Sequence, residues 1–304
     1  YTENQLFSPE ISTTTGYSKL YVNAGKVTNK GIELALGFKQ NIGPVDWKTT
    51  LLWSLNRNRI DQLLPEYTNE ELGVTVHLDE MDVYSLGGAK QRLTVGGSMG
   101  DVYVNTMRTD EHGHIWMNSM TGTLETDKNN YVYAGNTNPK YTLSWRNEFN
   151  WKGISLGFML NARVGGIGVS ATQAVMDYYG VSKTSAEARD NGGVKVNGQM
   201  IDAQTWYQTI GANGTGYVGS MYVYSMTNVR LGELTLGYDI PINKWCKWIS
   251  GLNVSFVGRN LWMIYCKAPF DPESTASTGT YNQGMDYFMQ PSLRSMGFSA
   301  KISF

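Results

Sequence analysis

One short run of residues has the composition of a metal site. The stretch 110–114 reads Asp-Glu-His-Gly-His and brings two imidazoles and two carboxylates together. Zinc and similar ions need three or four ligands that converge in space. Only sequence-local ligands are visible here, so the pattern favours a solvated loop, and we predict no metal site.

A second stretch has the outline of a nucleotide-binding fingerprint. Gly166, Gly168 and Ala171 fall at its spacing, after a strand and before a helical pattern. The strands of dinucleotide-binding folds are buried on both faces and read as continuously apolar, whereas the strand before Gly166 alternates. The pattern therefore indicates an outer loop that leaves a strand through glycine and folds a short helix, and we predict no cofactor.

Nucleophilic and redox chemistry have weak support. We find no Ser/His/Asp elbow and no Cys–His pair at an informative spacing, although spacing alone leaves a catalytic triad open. Cys246 falls in a predicted short turn and Cys266 beyond the far end of the next strand. About 17 strand residues at roughly 3.3 Å each separate them, far more than the 7 Å or so that a disulfide allows. We predict two free thiols and no enzymatic activity.

The composition restricts the class of protein. The chain has 304 residues and a net charge of −1, so no basic field favours nucleic-acid binding. No run of about 18 apolar residues predicts a transmembrane helix. Glycine (34) and tyrosine (19) are abundant and the apolar runs are short, which favours β-structure.

Long strands with one apolar face are the elements that would position any functional side chain. At the C-terminus, Met296, Phe298, Ala300, Ile302 and Phe304 alternate with serine, glycine and lysine. The same period of two runs through 32–39, 47–55, 141–151, 154–163, 234–240 and 252–256. This alternation indicates strands that are apolar on one side and polar on the other.

Two architectures share that pattern, a soluble β-sandwich and a transmembrane β-barrel. The strands are longer than the usual five or six residues. Their polar faces mix charges with small residues, and aromatic residues gather at the strand ends, as at Trp47, Trp151 and Trp262. Segments of about ten alternating residues with aromatic girdles are typical of outer-membrane barrels. We therefore predict an all-β transmembrane antiparallel barrel, with a carbohydrate-binding sandwich as the alternative.

The links between strands alternate in length. Short links at 41–46, 151–153 and 241–248 alternate along the chain with long polar links at 61–139, 166–221 and 264–291, and a short link comes first. Outer-membrane barrels have short periplasmic turns and long external loops. We therefore predict that Phe304 ends at the periplasmic side, provided that 61–139 contributes no membrane strand or an even number.

The strand count predicts part of a barrel. We expect about seven complete strands, with a partial one at Leu6–Phe7. A closed eight-stranded barrel is narrow and filled by side chains, whereas the long loops here fit a wide opening. We predict that residues 1–304 are the C-terminal portion of one larger barrel domain, with the plug and earlier strands absent. A small closed barrel acting as an adhesin or structural protein is the alternative.

Several motifs occur in the order that one family shows. They are Asn-Ala-Gly-Lys-Val-Thr-Asn-Lys-Gly-Ile-Glu (23–33), Gly-Asn-Thr-Asn-Pro (135–139), Arg-Leu-Gly-Glu-Leu-Thr-Leu-Gly-Tyr-Asp-Ile-Pro (230–241), Gly-Arg-Asn-Leu (258–261), Phe-Asp-Pro-Glu (270–273) and the terminal 290–304. Each is weak alone, and together they span nearly the whole chain. The sequence resembles the C-terminal region of SusC-like TonB-dependent transporters of the Bacteroidetes outer membrane.

The resemblance implies a fold and a function. The family has a 22-stranded barrel around an N-terminal plug. A SusD-like surface lipoprotein lids the barrel and captures an oligosaccharide or oligopeptide, and TonB displaces the plug so that the cargo enters the periplasm. This chain would provide barrel wall, lid-docking surface and substrate-side loops, in contact with outer-membrane lipid.

Three sets of residues are the functional candidates. The side chains expected to line the lumen are Arg146, Glu148, Asn161 and Arg163, and their simpler role is cross-strand pairing. The loop aromatics that could stack on cargo, or only pack the loops, are Tyr178, Tyr179, Trp206, Tyr207 and Tyr222. By the resemblance, the signal for barrel assembly comprises Phe298, Ile302 and Phe304.

Overall fold

The structure is a computed structural model that describes residues 1–3, 6–7, 22–23, 25–69, 74–118, 120, 123–214, 216–242, 245, 248–274 and 282–304. Within those ranges no helix has the length and apolar character needed to cross a membrane. Cys266 is a free thiol, and Cys246 lies outside the described residues, so only half of the thiol prediction is addressed.

Strands dominate the described chain. In chain order they are β1 (Thr2–Glu3), β2 (Leu6–Phe7), β3 (Val22–Asn23), β4 (Lys26–Ile42), β5 (Val45–Gln62), β6 (Leu64–Asn69), β7 (Val74–Leu78), β8 (Glu80–Leu86), β9 (Ala89–Thr94), β10 (Asp101–Met107), β11 (Thr126–Asn136), β12 (Tyr141–Trp151), β13 (Ile154–Val164), β14 (Ile167–Ser170), β15 (Val194–Val196), β16 (Gln199–Ile201), β17 (Val223–Ser225), β18 (Asn228–Ile240), β19 (Gly251–Cys266), β20 (Met285–Asp286) and β21 (Ser295–Ser303). The α-helices are α1 (Ala171–Tyr178), α2 (Lys183–Asp190) and α3 (Ala203–Gly211).

The predicted long strands form one sheet. This main sheet has eight antiparallel strands in the order β1-β4-β5-β12-β13-β18-β19-β21. β5 pairs directly with β12, so the link between them contributes no strand to the main sheet, as the parity of the links required. One detail of the prediction is wrong. The predicted partial strand Leu6–Phe7 pairs with Val22–Asn23 and lies outside the main sheet. The short strand at the edge, beside β4, is Thr2–Glu3.

The short links all lie at one end of the main sheet. β12 turns into β13 through Lys152 and Gly153, whose φ angles of 46° and 86° suit a two-residue hairpin of the type that matches strand twist. At this same end Ser303 of β21 pairs with Gly251 of β19, so the chain terminus lies beside the short links. The links 63–140, 165–227 and 267–294 all leave from the opposite end.

The apolar face of the main sheet is uncovered within the described residues. Leu236 is 51% exposed and Phe298 is 85% exposed, and no second sheet packs on that face. A soluble sandwich would bury these side chains, so the sandwich alternative is excluded. From Val45 to Leu55 this face spans about 33 Å along the strand, or about 25 Å across a membrane at a tilt near 40°. That height matches the apolar band of an outer-membrane barrel.

Aromatic rings cross the apolar face near the short links. Trp47 stacks on Phe149 with centroids 6.2 Å apart, Phe149 lies 6.4 Å from Phe158, and Phe38 meets Trp47 edge-on at 5.7 Å. Asn147 is the polar interruption of this face, and it is buried. The indole N–H of Trp47 donates to its Oδ1 at 3.1 Å. The cluster therefore gives the amide oxygen a donor that hydrocarbon would not provide, whereas the buried Nδ2 has no partner among the described residues.

The three long links fold together into a loop module, defined as the described parts of 63–140, 165–227 and 267–294. It holds a four-stranded sheet (β11-β10-β9-β8), a three-stranded sheet (β17-β14-β20) and all three helices. Its core includes Val104 from the first link, Tyr217 and Tyr222 from the second, and Met285 from the third. The largest cluster of buried apolar residues thus lies outside the main sheet.

Cross-link hydrogen bonds align these segments. Tyr217 donates through its hydroxyl to the Leu86 carbonyl at 2.7 Å, and Asn105 accepts from the Gly219 amide at 2.7 Å. The β14–β20 pair is parallel, and it joins the second link to the third. The module is therefore one packed unit instead of three independent loops.

Candidate functional site

The polar face of the main sheet carries a row of charged side chains at one register level. Arg146 of β12 pairs with Thr50 of β5 and with Met159 of β13. Met159 in turn pairs with Glu233 of β18, which pairs with Arg259 of β19. Because side chains of one register level share a face, the two guanidiniums flank the Glu233 carboxylate.

The distances show a chain of alternating charge, here called the charge row. Its cations are Lys48, Arg146 and Arg259, and its carboxylates are Glu148 and Glu233. Lys48 Nζ lies 3.8 Å from Glu148, and Arg146 Nε lies 2.7 Å from the same carboxylate. Glu233 is 4.0 Å from the Arg146 guanidinium and 3.7 Å from Arg259 Nε.

The cations are the accessible members of the charge row. The side chains of Arg146 and Arg259 are 52% and 70% exposed, against 25% for Glu233. Such exposed pairs contribute little to stability, about 0–1 kcal/mol each. The row can therefore exchange partners with a ligand at small cost, and it offers three cations against two carboxylates.

Two further predicted lumen residues lie on the same face, closer to the loop module. Asn161 accepts a hydrogen bond from the Ser144 hydroxyl at 2.9 Å. Arg163 donates from a terminal guanidinium nitrogen to the Thr137 carbonyl at 2.8 Å, and its buried Nε has no partner among the described residues. Asn161 therefore joins β12 to β13, Arg163 connects the main sheet to the base of the module, and both stand apart from the charge row.

The sequence analysis missed a buried ion pair in this region. Arg230 is the register partner of Asn161, and its guanidinium lies 2.8 Å from Asp271 with side-chain exposures of 5% and 8%. A second terminal nitrogen of Arg230 donates to Asn260 Oδ1 at 3.1 Å. Asp271 Oδ2 accepts from the Ser292 amide at 2.9 Å.

Four of the quoted motifs therefore meet at this ion pair. Arg230, Asn260, Asp271 and Ser292 come from the motifs at 230–241, 258–261, 270–273 and 290–304. Asn260 has a φ of 52°, and its side-chain Nδ2 donates to the Ser292 carbonyl at 3.2 Å. The order of the motifs along the chain was the available signal, and their convergence needed the structure.

The loop aromatics separate into two groups. Trp206 and Tyr222 are buried in the loop-module core, where no cargo can stack on them. Tyr179 is 62% exposed and meets Tyr178 edge-on at 5.1 Å, and Tyr207 is half-buried. Of the five predicted loop aromatics, all of them described, Tyr178, Tyr179 and Tyr207 present surface to a ligand.

The burial also appears in the acid–base behaviour of the module. Burial raises the pKa of Tyr222 and of Tyr217 far above the ordinary phenol value. Burial raises the pKa of Tyr224 to about 12. These phenols therefore remain neutral at physiological pH and serve packing.

The histidine-rich run is a turn held by its own aspartate. Asp110 accepts from the backbone amides of His112 and His114, both at 2.9 Å. The His114 amide, followed by the His112 amide, lowers the pKa of the Asp110 carboxyl, although slight burial opposes this. In the described residues no group of three or more metal-ligating side chains forms a site.

The residues of the predicted assembly signal lie on the exposed apolar face of β21. Phe298 meets Phe256 of β19 edge-on at 5.7 Å. Ile302 pairs with Leu252, and Phe304 extends past the last pair of the sheet. All three present apolar surface outward at the edge of the main sheet.

The sequence is similar to TonB-dependent receptors. Receptor P3 of Formosa agariphila is 23% identical over 333 residues, which cover 100% of this chain and 31% of the receptor. Receptor P26 of the same bacterium is 22% identical over 329 residues, covering 100% of this chain and 32% of the receptor. The chain thus spans about a third of the length of these curated relatives. No family model matches it.

The fold is similar to solved transporters. The RagAB peptide transporter superposes with a TM-score of 0.65 at 15% identity, covering 98% of this chain and 31% of that chain. The "open-open" state of the RagAB peptide importer gives a TM-score of 0.63 at 15% identity, covering 99% and 31%. The named relatives and the shared fold support the resemblance seen in the motifs, to a SusC-like TonB-dependent transporter of which this chain corresponds to a portion of the β-barrel.

Proposed function

We propose that this chain is the C-terminal part of the barrel wall of a bacterial outer-membrane importer. The importer takes up oligosaccharides or oligopeptides, is energised by TonB through its plug, and works with a SusD-like surface lipoprotein. One observation carries the proposal: a single sheet has an uncovered apolar face of membrane height and an opposite face that bears the charge row. A channel wall in lipid needs both faces.

Each part of the chain has a share in that function. The loop module forms the substrate-side surface on which the lipoprotein docks, with Tyr178, Tyr179 and Tyr207 available to the cargo. The charge row lines the path below it, where Arg146 and Arg259 meet carboxylates or hydroxyls of the cargo through charge-assisted hydrogen bonds. Transport makes and breaks no bond in the cargo, so we assign no catalytic residue.

Uptake by the full-length protein with its lipoprotein tests this function. We expect cells with intact TonB to accumulate a fluorescent acidic oligopeptide or oligosaccharide, and cells lacking TonB to accumulate neither. Arg146→Gln with Arg259→Gln should lower uptake of an acidic peptide several-fold at an equal amount of protein in the outer membrane. Thr50→Ala, at the same register level without charge, is the matched control. Uptake that persists without TonB would refute the proposal.

The orientation has its own test. In a background with Cys246 and Cys266 changed to serine, we introduce Lys183→Cys in α2 or Pro44→Cys in a short link. A membrane-impermeant maleimide should label intact cells at position 183 and leave position 44 unlabelled. The reverse pattern would place the terminus at the cell surface.

The assembly signal is tested separately. Phe304→Ala should lower the amount of barrel in the outer membrane, because the terminal aromatic of β21 is the signal read by the assembly machinery. Lys301→Gln, on the other face of the same strand, should leave that amount unchanged. An equal effect of both variants would contradict the assignment.

A further inference from the structure

Two cations face each other on the outward surface of the main sheet. Lys30 of β4 and Arg57 of β5 are direct register partners, and both are exposed. Like charges directly opposite destabilise an antiparallel pair. In the described part of the chain neither of the two is within ion-pair distance of a carboxylate, whereas the neighbouring Arg59 lies 3.7 Å from Asp61. An external anion would relieve this repulsion.

Their height relative to the apolar band suggests which anion. Lys30 and Arg57 lie two residues beyond Ile32 and Leu55, the last apolar pair on this face. Two residues rise about 6.6 Å along a strand, or about 5 Å along the membrane normal at a tilt near 40°. Trp53 and Tyr141 are side by side just below, 6.4 Å apart, as aromatic girdles are at a membrane interface. The two cations are therefore at the level of lipid headgroups.

We propose that Lys30 and Arg57 bind a phosphate group of an outer-leaflet lipid whose acyl chains cover the apolar face of β4 and β5. The Arg57 guanidinium can pair with phosphate through two parallel hydrogen bonds, and the Lys30 ammonium adds a point charge. The acyl chains continue from this site onto Ile32, Leu34 and Leu36, which are exposed. This inference rests on the outer-membrane placement of the proposed function.

The experiment measures lipid retained by the full-length protein in detergent, by native mass spectrometry. The probes are bisphosphorylated lipid A, the same lipid without phosphate, and inorganic phosphate. Lys30→Gln with Arg57→Gln should lower retention of bisphosphorylated lipid A at least tenfold. Lys39→Gln with Lys301→Gln, which removes two exposed cations from the polar face of the main sheet, should not change it.

Equal retention by wild type and the Lys30/Arg57 variant overturns the site, and equal retention of the dephosphorylated lipid overturns phosphate recognition. Displacement of the lipid by millimolar inorganic phosphate would show a free-phosphate site instead. TonB-dependent uptake is measured in parallel, so failure of transport and failure of lipid binding are told apart. Unchanged heat-modifiability on gels shows that the variants are folded.

Discussion

Replacement of Asp271 by asparagine should loosen the base of the loop module. Asp271 and Arg230 form a buried ion pair with a 2.8 Å contact. Removing one partner of a buried pair strands the other charge, which typically costs about 3–5 kcal/mol. Asparagine keeps the volume and one acceptor oxygen, so its cost should fall below that range.

The acidity of Asp271 gives a second measure of the effect. Burial alone would raise its pKa, but hydrogen bonds from the Ser292 hydroxyl, the Glu273 amide, the Arg230 guanidinium and the Ser292 amide lower it to about 2. Relative to an ordinary value of 3.8, this corresponds to about 2.4 kcal/mol before solvent screening. We therefore expect a cost of about 2 kcal/mol, or about a 30-fold change in the opening equilibrium.

Hydrogen–deuterium exchange at Ser292 reports this opening, because its amide donates to Asp271 Oδ2 at 2.9 Å. At pH 7 exchange there should be about 30-fold faster in Asp271→Asn than in wild type. Glu273→Gln is the control: Glu273 is 39% exposed and lies 3.3 Å from Arg230 Nε. An exposed pair contributes at most about 1 kcal/mol, so exchange should rise less than about fivefold.

The pH dependence sharpens the test. A carboxyl whose folded pKa is depressed stabilises the fold above its unfolded pKa and loses that contribution as pH falls through the folded value. The difference between wild type and Asp271→Asn should therefore be full above about pH 4 and vanish near pH 2. A difference that persists unchanged at pH 2, or an equal effect of Glu273→Gln, would refute the buried-pair reasoning.

Three further predictions concern the module and the apolar face. Burial raises the pKa of Tyr217 above the unfolded value of 10, so the stability that the neutral phenol contributes to the module is complete below pH 10 and is lost as the pH rises above it. Absorbance at 295 nm should show no ionisation of Tyr217 until the module unfolds, and ionisation near pH 10 would contradict this. Trp47→Phe leaves Asn147 Oδ1 without its donor and should lower the free energy of unfolding in denaturant by about 1–3 kcal/mol. Adding Asn147→Leu should restore much of the lost stability, and a double variant as unstable as Trp47→Phe alone would argue against the contact. Gly88→Ala should reduce the yield of folded protein, because a Cβ at this position would lie 1.9 Å from the Tyr217 carbonyl. Gly37→Ala is the control, since a Cβ there would have nothing within 4 Å, and equal yields of the two variants would count against this packing.

The main sheet was predictable because its determinants are local. A period of two along each strand sets the face of every side chain, and the alternation of link lengths sets the strand directions. Both follow from residues that are close in sequence. The edge at Thr2–Glu3 was missed because a two-residue strand has no period to read.

The loop module was not predictable in the same way. Its core joins Met285 to Val169 and Val104, residues that are far apart in sequence and lack a common pattern. Trp206 and Tyr222 read as surface aromatics of polar loops, and only the packing of three links shows that they are buried. The charge row was predictable in part. Alternation along β12 identified Arg146 and Glu148 as candidates, whereas Glu233 and Arg259 could be found only from the register across four strands.

The shared core of the outer links also constrains how such a protein can diversify. The Tyr217 hydroxyl of one link donates to the Leu86 carbonyl of another, and the parallel pairing of Val169 with Met285 joins the third. Recombination that exchanged one link alone would leave its neighbours with mismatched partners. New cargo preferences should therefore arise by exchange of all three links as a block, or by point changes at exposed positions such as Tyr179 that leave the interior untouched.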